Sequence, residues 1–370
     1  MTGPVYTQVV AALPATVPFV GPEAHMRDSG RRFRARLGAN ESAFGPAPAA
    51  IAAMERAARE TWMYGDSENH DLRDALAQLH GVRRHSIIVG EGIDGLLGYL
   101  VRMLIEPGDA VVTSDGAYPT FNYHVNGYGG VLHKVPYRDD HEDPKALLDK
   151  AAETGAKLLY ISNPDNPMGT HHSGDAIAKM VEGVPEGTLL VLDEAYLEFA
   201  PGDATARIDP QDPRVIRMRT FSKAHGMAGA RVGYAIGAPD LISRFDLIRN
   251  HFGMTRIAQA GALAALEDDE GWLDYVRHEV ARSRDRLGRI AAANGLTALP
   301  SATNFVAIDC GEGGDFARAV LAELMARDIF VRMPGVAPLD RCIRVTAGRP
   351  TELDAFEEVL PEALRAARTG

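Results

Sequence analysis

Lys223 lies in the run Thr220-Phe221-Ser222-Lys223-Ala224-His225-Gly226, between a short β-rich stretch at 215–220 and a glycine-rich segment ending on Arg231. A lysine amine can form an imine with an aldehyde, be displaced by a substrate amine and then move protons as acid or base. Upstream stand Asp193-Glu194-Ala195-Tyr196 and the turn Asn163-Pro164-Asp165-Asn166-Pro167-Met168-Gly169. The set thus holds an amine, an acid, a phenol, an amide and a guanidinium. Taken alone, Lys223 reads as a solvated surface lysine. Its place after a strand and among these partners points to chemistry instead.

Asp193 ends the apolar run Leu189-Leu190-Val191-Leu192. A carboxylate at the end of a buried strand is costly unless a cation pairs with it. A protonated pyridine nitrogen would be such a cation; the plain alternative is an Asp capping the next turn. Glu194 is the other candidate acid, since strand alternation turns only one of the two toward a given face. Tyr196 and Asn166 can both donate to a phenolic oxygen on the ring, and Asn163 more naturally holds the turn. Pyridoxal 5'-phosphate needs this set of partners.

Its phosphate would need donors of its own. Gly90-Glu91-Gly92-Ile93-Asp94 leads from a strand into a helix, where glycine admits close backbone approach and free N–H groups bind anions. Gly92 and Ile93 are the backbone candidates, and Ser222 and Arg231 can complete the cradle, arginine through its planar fork. Phe121 could stack on the pyridine ring or be a core aromatic of a helix face. Arg332 and Arg344 lie on two late strands, and an arginine inside Ile343-Arg344-Val345 wants an anion such as a substrate carboxylate or phosphate. No metal-ligand spacing occurs, so no metal is expected.

The elements that must hold these groups alternate. Short apolar strands are predicted at 87–89, 110–113, 131–135, 157–162, 189–193, 215–219 and 232–236. Helices are predicted at 49–60, 72–80, 94–105, 121–126, 144–153 and 176–182. That pattern predicts an α/β fold with a mostly parallel sheet sandwiched by helices, whose ligands bind beyond the carboxyl ends of the strands. Residues 1–45 read as an irregular arm that joins the small domain, 46–270 as the large cofactor domain and 271–370 as a smaller α+β domain.

The 370 residues carry 50 acidic and 39 basic side chains, a net charge of −11, which argues against a nucleic-acid or anionic-membrane surface. Two cysteines exclude a disulfide framework and suit a reducing cytoplasm. No signal peptide and no membrane span are expected.

Together the motifs resemble the fold-type I pyridoxal-phosphate-dependent aminotransferases, and within them the histidinol-phosphate aminotransferase branch. The likeness runs through Asn40-Glu41-Ser42-Ala43-Phe44-Gly45-Pro46, Met63-Tyr64-Gly65-Asp66, the 90–94 loop, Tyr118-Pro119-Thr120-Phe121, the Asn-Pro turn, Asp-Glu-Ala-Tyr and Ser-Lys-Ala. It implies an aspartate aminotransferase-like large domain with a seven-stranded-type sheet, and a homodimer with shared active sites. The expected substrates are an amino acid, or a related amine such as histidinol phosphate, and a 2-oxo acid. It further implies that Lys223 carries the cofactor, Asp193 holds its ring nitrogen and Arg344 clamps the substrate anion. By the same likeness Asn40 approaches the substrate and Tyr64 reaches the neighbouring subunit's cofactor phosphate.

Three positions depart from the pattern. Phe44 stands where the branch usually has a tyrosine that helps hold substrate phosphate. Residues 249–256 replace the usual Arg-x-Pro-aromatic-Asn-Val run, so residues 253–256 either recast the pocket or repack a helix connection. His225 either moves protons near the reacting carbon or pairs with backbone. Decarboxylation, cyclisation, elimination or oxidation on the same scaffold is the alternative to transamination, and a non-catalytic cofactor-binding regulator the more remote one.

Overall fold

The computed structural model describes residues 3–14, 20–268 and 270–369. Its strands, in chain order, are β1 (Ala35–Arg36), β2 (Ile87–Gly90), β3 (Ala110–Ser114), β4 (Val131–Val135), β5 (Leu158–Ser162), β6 (Leu189–Asp193), β7 (Val215–Thr220), β8 (Gly233–Gly237), β9 (Thr297–Ala298), β10 (Phe305–Asp309), β11 (Ile329–Phe330) and β12 (Cys342–Thr346). Seven of them form the central sheet in the order β2-β8-β7-β6-β5-β3-β4. Only β8 runs against its neighbours.

Both faces of this sheet are covered, which is why β2, β5, β6 and β8 are buried along their whole length. Alternate residues serve opposite cores. Leu158, Tyr160, Val191, Ile216 and Met218 pack with Leu96, Leu97 and Leu100 of the helix Gly92–Leu104. Leu159, Ile161, Leu190 and Leu192 pack with Leu147 and Ala151 of Pro144–Thr154 and with Ile177 and Met180 of Gly174–Glu182.

The reversed β8 has a consequence for the site. Gly233 stands opposite Gly90 on one side and Thr220 on the other. The exit of β2, the exit of β7 and the entry to β8 therefore meet at one point. The helix start at Gly92, the Ser222–Lys223 loop and Arg231 come together there.

The remaining strands form two small sheets. β1 pairs parallel with β11, and β10 lies between antiparallel β9 and β12. The helices Gly313–Ala326 and Pro350–Thr369 bury Val320, Leu324, Phe356 and Leu360 against Val306, Ile308, Ile343 and Val345. The helix Trp272–Ala293 joins the two cores. Val276 and Val280 pack into the large core, and Leu287, Ile290 and Ala291 into the small one.

The arm expected to be irregular is partly regular. It contains the helices Gln8–Ala12 and Pro22–Ser29 besides β1. Its prolines and glycines punctuate those helices: Pro22 sits at a helix start, where its missing N–H costs nothing, and Gly30 closes the same helix at a positive φ of 68°.

Candidate active site

A cavity of about 660 Å³ opens over the carboxyl ends of β5, β6 and β7, between them and the 332–336 segment of the small unit. Lys223 lines it, and its Nζ donates to the Asn40 carbonyl at 3.2 Å and lies 5.6 Å from the centre of the Tyr196 ring. Burial pushes the Lys223 ammonium down to about 8, with the Arg344 and Arg231 charges adding to the effect and Glu41 and Asp193 opposing it.

Asp193 forms the floor. Its side chain is buried, accepting from Tyr160 Oη at 2.7 Å and from Ala195 N at 3.0 Å. Among the described residues it has no ion-pair partner. Burial raises its proton affinity despite those two donors and the Lys223 charge. Tyr196 Oη accepts from Asn40 Nδ2 at 3.0 Å, and burial raises its proton affinity too. The Tyr196 ring stands edge-on to Phe305, 5.4 Å between centres at 88°.

Asn40 is a junction. At φ 53° it adopts the left-handed conformation that asparagine tolerates. Its amide N–H donates to Thr346 Oγ1 at 3.1 Å, and its carbonyl takes Asn304 Nδ2 at 3.0 Å besides Lys223.

At one end of the cavity stands an anion cradle. Gly92 opens its helix at φ 81°, and a Cβ there would lie 2.5 Å from Arg231 Nη2. Arg231 Nη1 reaches Ser222 Oγ at 3.4 Å, and Ile93 lines the wall. At the other end Arg344 donates to Asn166 Oδ1 and, at 3.3 Å, to the Gly38 carbonyl. Its Nε is buried without a partner among the described residues. Burial lowers its pKa, and Arg332 lowers it further. Arg332 pairs with Arg344 through the backbone, lines the same end and sends its Nη2 to the Val20 carbonyl at 2.8 Å.

Two expected residues lie elsewhere. Phe121 does not reach the cavity: it is fully buried and stacks on Tyr160, 4.7 Å between centres at 17°. The helix Pro119–Gly127 turns that position inward, and Tyr118, the residue before the helix, faces the cavity instead. Tyr64 is exposed, packing on Phe252 at 4.7 Å with its carbonyl held by Arg256 Nη2. It is outside this chain's own cavity.

The departures resolve structurally. Phe44 is buried edge-on to Tyr275 and does not line the cavity. Thr255 caps the helix Arg256–Leu266, and a Cβ at Gly253 would collide with Glu91 at 1.5 Å. His225 packs on Phe221 at 4.8 Å, away from the cavity, and burial lowers its pKa. Sequence reasoning missed Tyr118, whose aromatic type was the available signal, and Asn304, which had none.

A sequence profile of the class I and II aminotransferases matches residues 35–360. The chain belongs to that family. It is 30% identical over 98% of its length to a histidinol-phosphate aminotransferase of Moorella thermoacetica, covering 94% of that protein. It is 34% identical to one from Symbiobacterium thermophilum, with 94% of this chain and 95% of that one aligned. A crystal structure of histidinol-phosphate aminotransferase from Sinorhizobium meliloti with pyridoxal-5'-phosphate superposes with a TM-score of 0.94, at 53% identity and 97% coverage of both chains. Aspartate aminotransferase of Thermus thermophilus with maleate shares the fold at 23% identity and a TM-score of 0.82, over 98% of this chain and all of that one.

This aminotransferase therefore uses pyridoxal phosphate, and the non-transaminating alternative is not favoured. The donor set fits the group. It offers a reachable amine, a buried carboxyl that lacks a cation, and a glycine-lined helix start facing Ser222 and Arg231. No described helix is long and apolar enough to cross a membrane.

Proposed function

We propose that this aminotransferase takes its amino group from an amine that carries an anion, with histidinol phosphate the leading candidate, and passes it to a 2-oxo acid. The observation that carries the reading is the pair Arg332 and Arg344 at the end of the cavity away from the phosphate cradle. The name of the 53% identical relative supports the choice. Phe44, which lacks the hydroxyl of the usual tyrosine, is not on this chain's cavity wall, so its change of type does not weigh against a phosphorylated substrate there.

When bound, pyridoxal phosphate supplies an aldehyde and an electron-withdrawing ring. Gly92, Ile93, Ser222 and Arg231 would hold its phosphate. Asp193 would keep the ring nitrogen protonated, which would offset the cost of burying that carboxylate. With its carbonyl taken by Arg344, Asn166 retains its amide N–H groups to donate to the ring oxygen, alongside Tyr196. Tyr118, on the cavity wall, would be the aromatic available to the ring in the role expected of Phe121. Arg344 orients the substrate anion, so that Lys223 Nζ meets the Cα proton and removes it as general base. A pKa near 8 leaves a useful neutral fraction of that amine at physiological pH.

The enzyme acts as a cytoplasmic homodimer in this reading. Two buried free cysteines support the reducing compartment, and exposed Trp62, Tyr64, Leu247 and Phe252 support a face that a second copy covers, bringing Tyr64 to the partner's cradle. The deciding experiment is a panel of amine donors read by the change in cofactor absorbance. Histidinol phosphate should exceed plain amino acids in kcat/KM, and equal rates would remove the phosphate reading. Lys223→Ala should abolish turnover; normal turnover in that variant would remove the mechanism.

A further inference from the structure

A second pair of acids lies beneath the same cavity. Glu142 and Asp165 are both buried. Glu142 Oε1 accepts from Ser162 N at 2.8 Å, and its Oε2 is 2.6 Å from Ser114 Oγ. Asp165 accepts from Tyr137 Oη at 2.7 Å and from Met168 N at 2.8 Å. Ser162 Oγ joins the two, 2.9 Å from Glu142 and 3.4 Å from Asp165.

Every other charged neighbour is committed elsewhere. Arg341 pairs with Asp140 at 2.8 Å, and Arg138 with Asp143 at 2.9 Å. His172 Nε2 meets the Glu142 backbone carbonyl at 2.8 Å, and His141 Nδ1 the Asp139 carbonyl at 2.7 Å. Arg344 contacts Asn166 rather than Asp165. Asp193, with Tyr160, adds a third acid from the next strands. Among the described residues no cation touches either carboxyl.

Two adjacent buried carboxylates without a cation cannot both ionise cheaply. The donors decide which one keeps a proton. Each Asp165 oxygen has a committed donor in Tyr137 Oη or Met168 N, which suits an anion. Glu142 Oε2 faces a hydroxyl that can either give or take a hydrogen bond. We propose that Glu142 is a neutral acid whose Oε2–H donates to Ser114 Oγ while its Oε1 accepts from Ser162, leaving Asp165 as the anion held by Tyr137 Oη and Met168 N, and that this proton-linked pair positions Asn166. Ser114 ends β3, Ser162 ends β5, and Asp165 immediately precedes Asn166. One proton thereby ties two parallel strands to the turn that presents the amide. Burial and the Asp165 charge both push the Glu142 carboxyl well above its ordinary range.

The positioning role rests on Asn166 meeting the cofactor, whereas the protonation does not, so the two are read separately. Infrared spectra of the loaded enzyme at neutral pH should contain a protonated carboxyl C=O band that Glu142→Gln removes. In Asp165→Asn the band should titrate away at lower pH, because the neighbouring charge is gone. Glu142→Gln should keep the wild-type cofactor absorbance and affinity. Glu142→Ala should hold the cofactor roughly tenfold more weakly, since it leaves the buried Ser162 N–H without an acceptor. The proposal falls if the wild type has no such band, if the band survives Glu142→Gln, or if Gln at 142 harms cofactor binding as much as Ala. None of these readings depends on which substrate is transaminated.

Discussion

Two buried acidic sites flank Asp193, and they are stabilised in opposite ways. Glu194, the next residue, receives Arg217 through two bonds of 3.0 Å and Arg219 at 3.5 Å, and Arg219 also reaches Glu198 at 2.7 Å. Burial alone would raise Glu198, but the Arg219 charge holds it below the ordinary carboxylate range. Glu142 and Asp165 have only hydroxyls and amide N–H groups. The difference lies in the strands that face each acid. β7 turns Arg217 and Arg219 to one side, whereas β3 and β5 end in serines. Asp193 lies between these cases, with hydrogen bonds but, among the described residues, no ion-pair partner, which leaves it able to hold a cation. Burial by itself does not determine the charge of an acid; the partners supplied by the adjoining elements do.

The comparison can be tested at each acid in turn. Asp193→Asn keeps the shape but cannot hold a cationic ring nitrogen, so kcat should fall by roughly three orders of magnitude in steady-state assays. Glu194→Ala strips Arg217 of its partner and Arg219 of one of two. It should lower unfolding stability by about 3–5 kcal/mol, read from denaturant midpoints, with a much smaller effect expected for the exposed Lys145–Asp149 pair.

A subtler test uses Lys223. Uptake of pyridoxal phosphate by the apoprotein should accelerate as pH rises through about 8, because only the neutral amine reacts. Arg344→Ala should move that midpoint upward, and an unchanged midpoint would show that burial alone sets it. The smallest effect belongs to Glu142. Its folded-state proton affinity is raised, so the folded chain keeps a proton that the unfolded chain has released. Stability from this group therefore falls as pH rises from the ordinary carboxylate range toward the raised one, then levels off. Glu142→Gln should flatten that part of the Tm-against-pH curve.

Much of this was legible in the chain itself. The apolar run that became β6 is bounded as the pattern predicts, because a strand buried on both faces leaves a continuous apolar signature. Lys223, Asp193, Asn166, Ser222 and Arg231 were readable because each follows a strand or precedes one. Tyr118 and Phe121 were not separable, since two aromatics three residues apart differ only in where the helix begins. The reversal of β8 was invisible for a related reason: an apolar strand reads the same in either direction. Arg217 and Arg219, two apart in an apolar strand, did carry a signal for a buried acid opposite them. The Glu142–Asp165 pair carried none, because its members meet only through loops.

Asn40 has one more implication. Its carbonyl is shared by the small-unit Asn304 and by Lys223, which lies 183 residues further along the chain. Were the amine committed to a coenzyme, that second tether would be released, leaving the Asn40 turn held by Asn304, Thr346 and Tyr196. Loading of the enzyme is thereby transmitted to its opening segment, whose resistance to a protease becomes a gauge of whether the amine is in use.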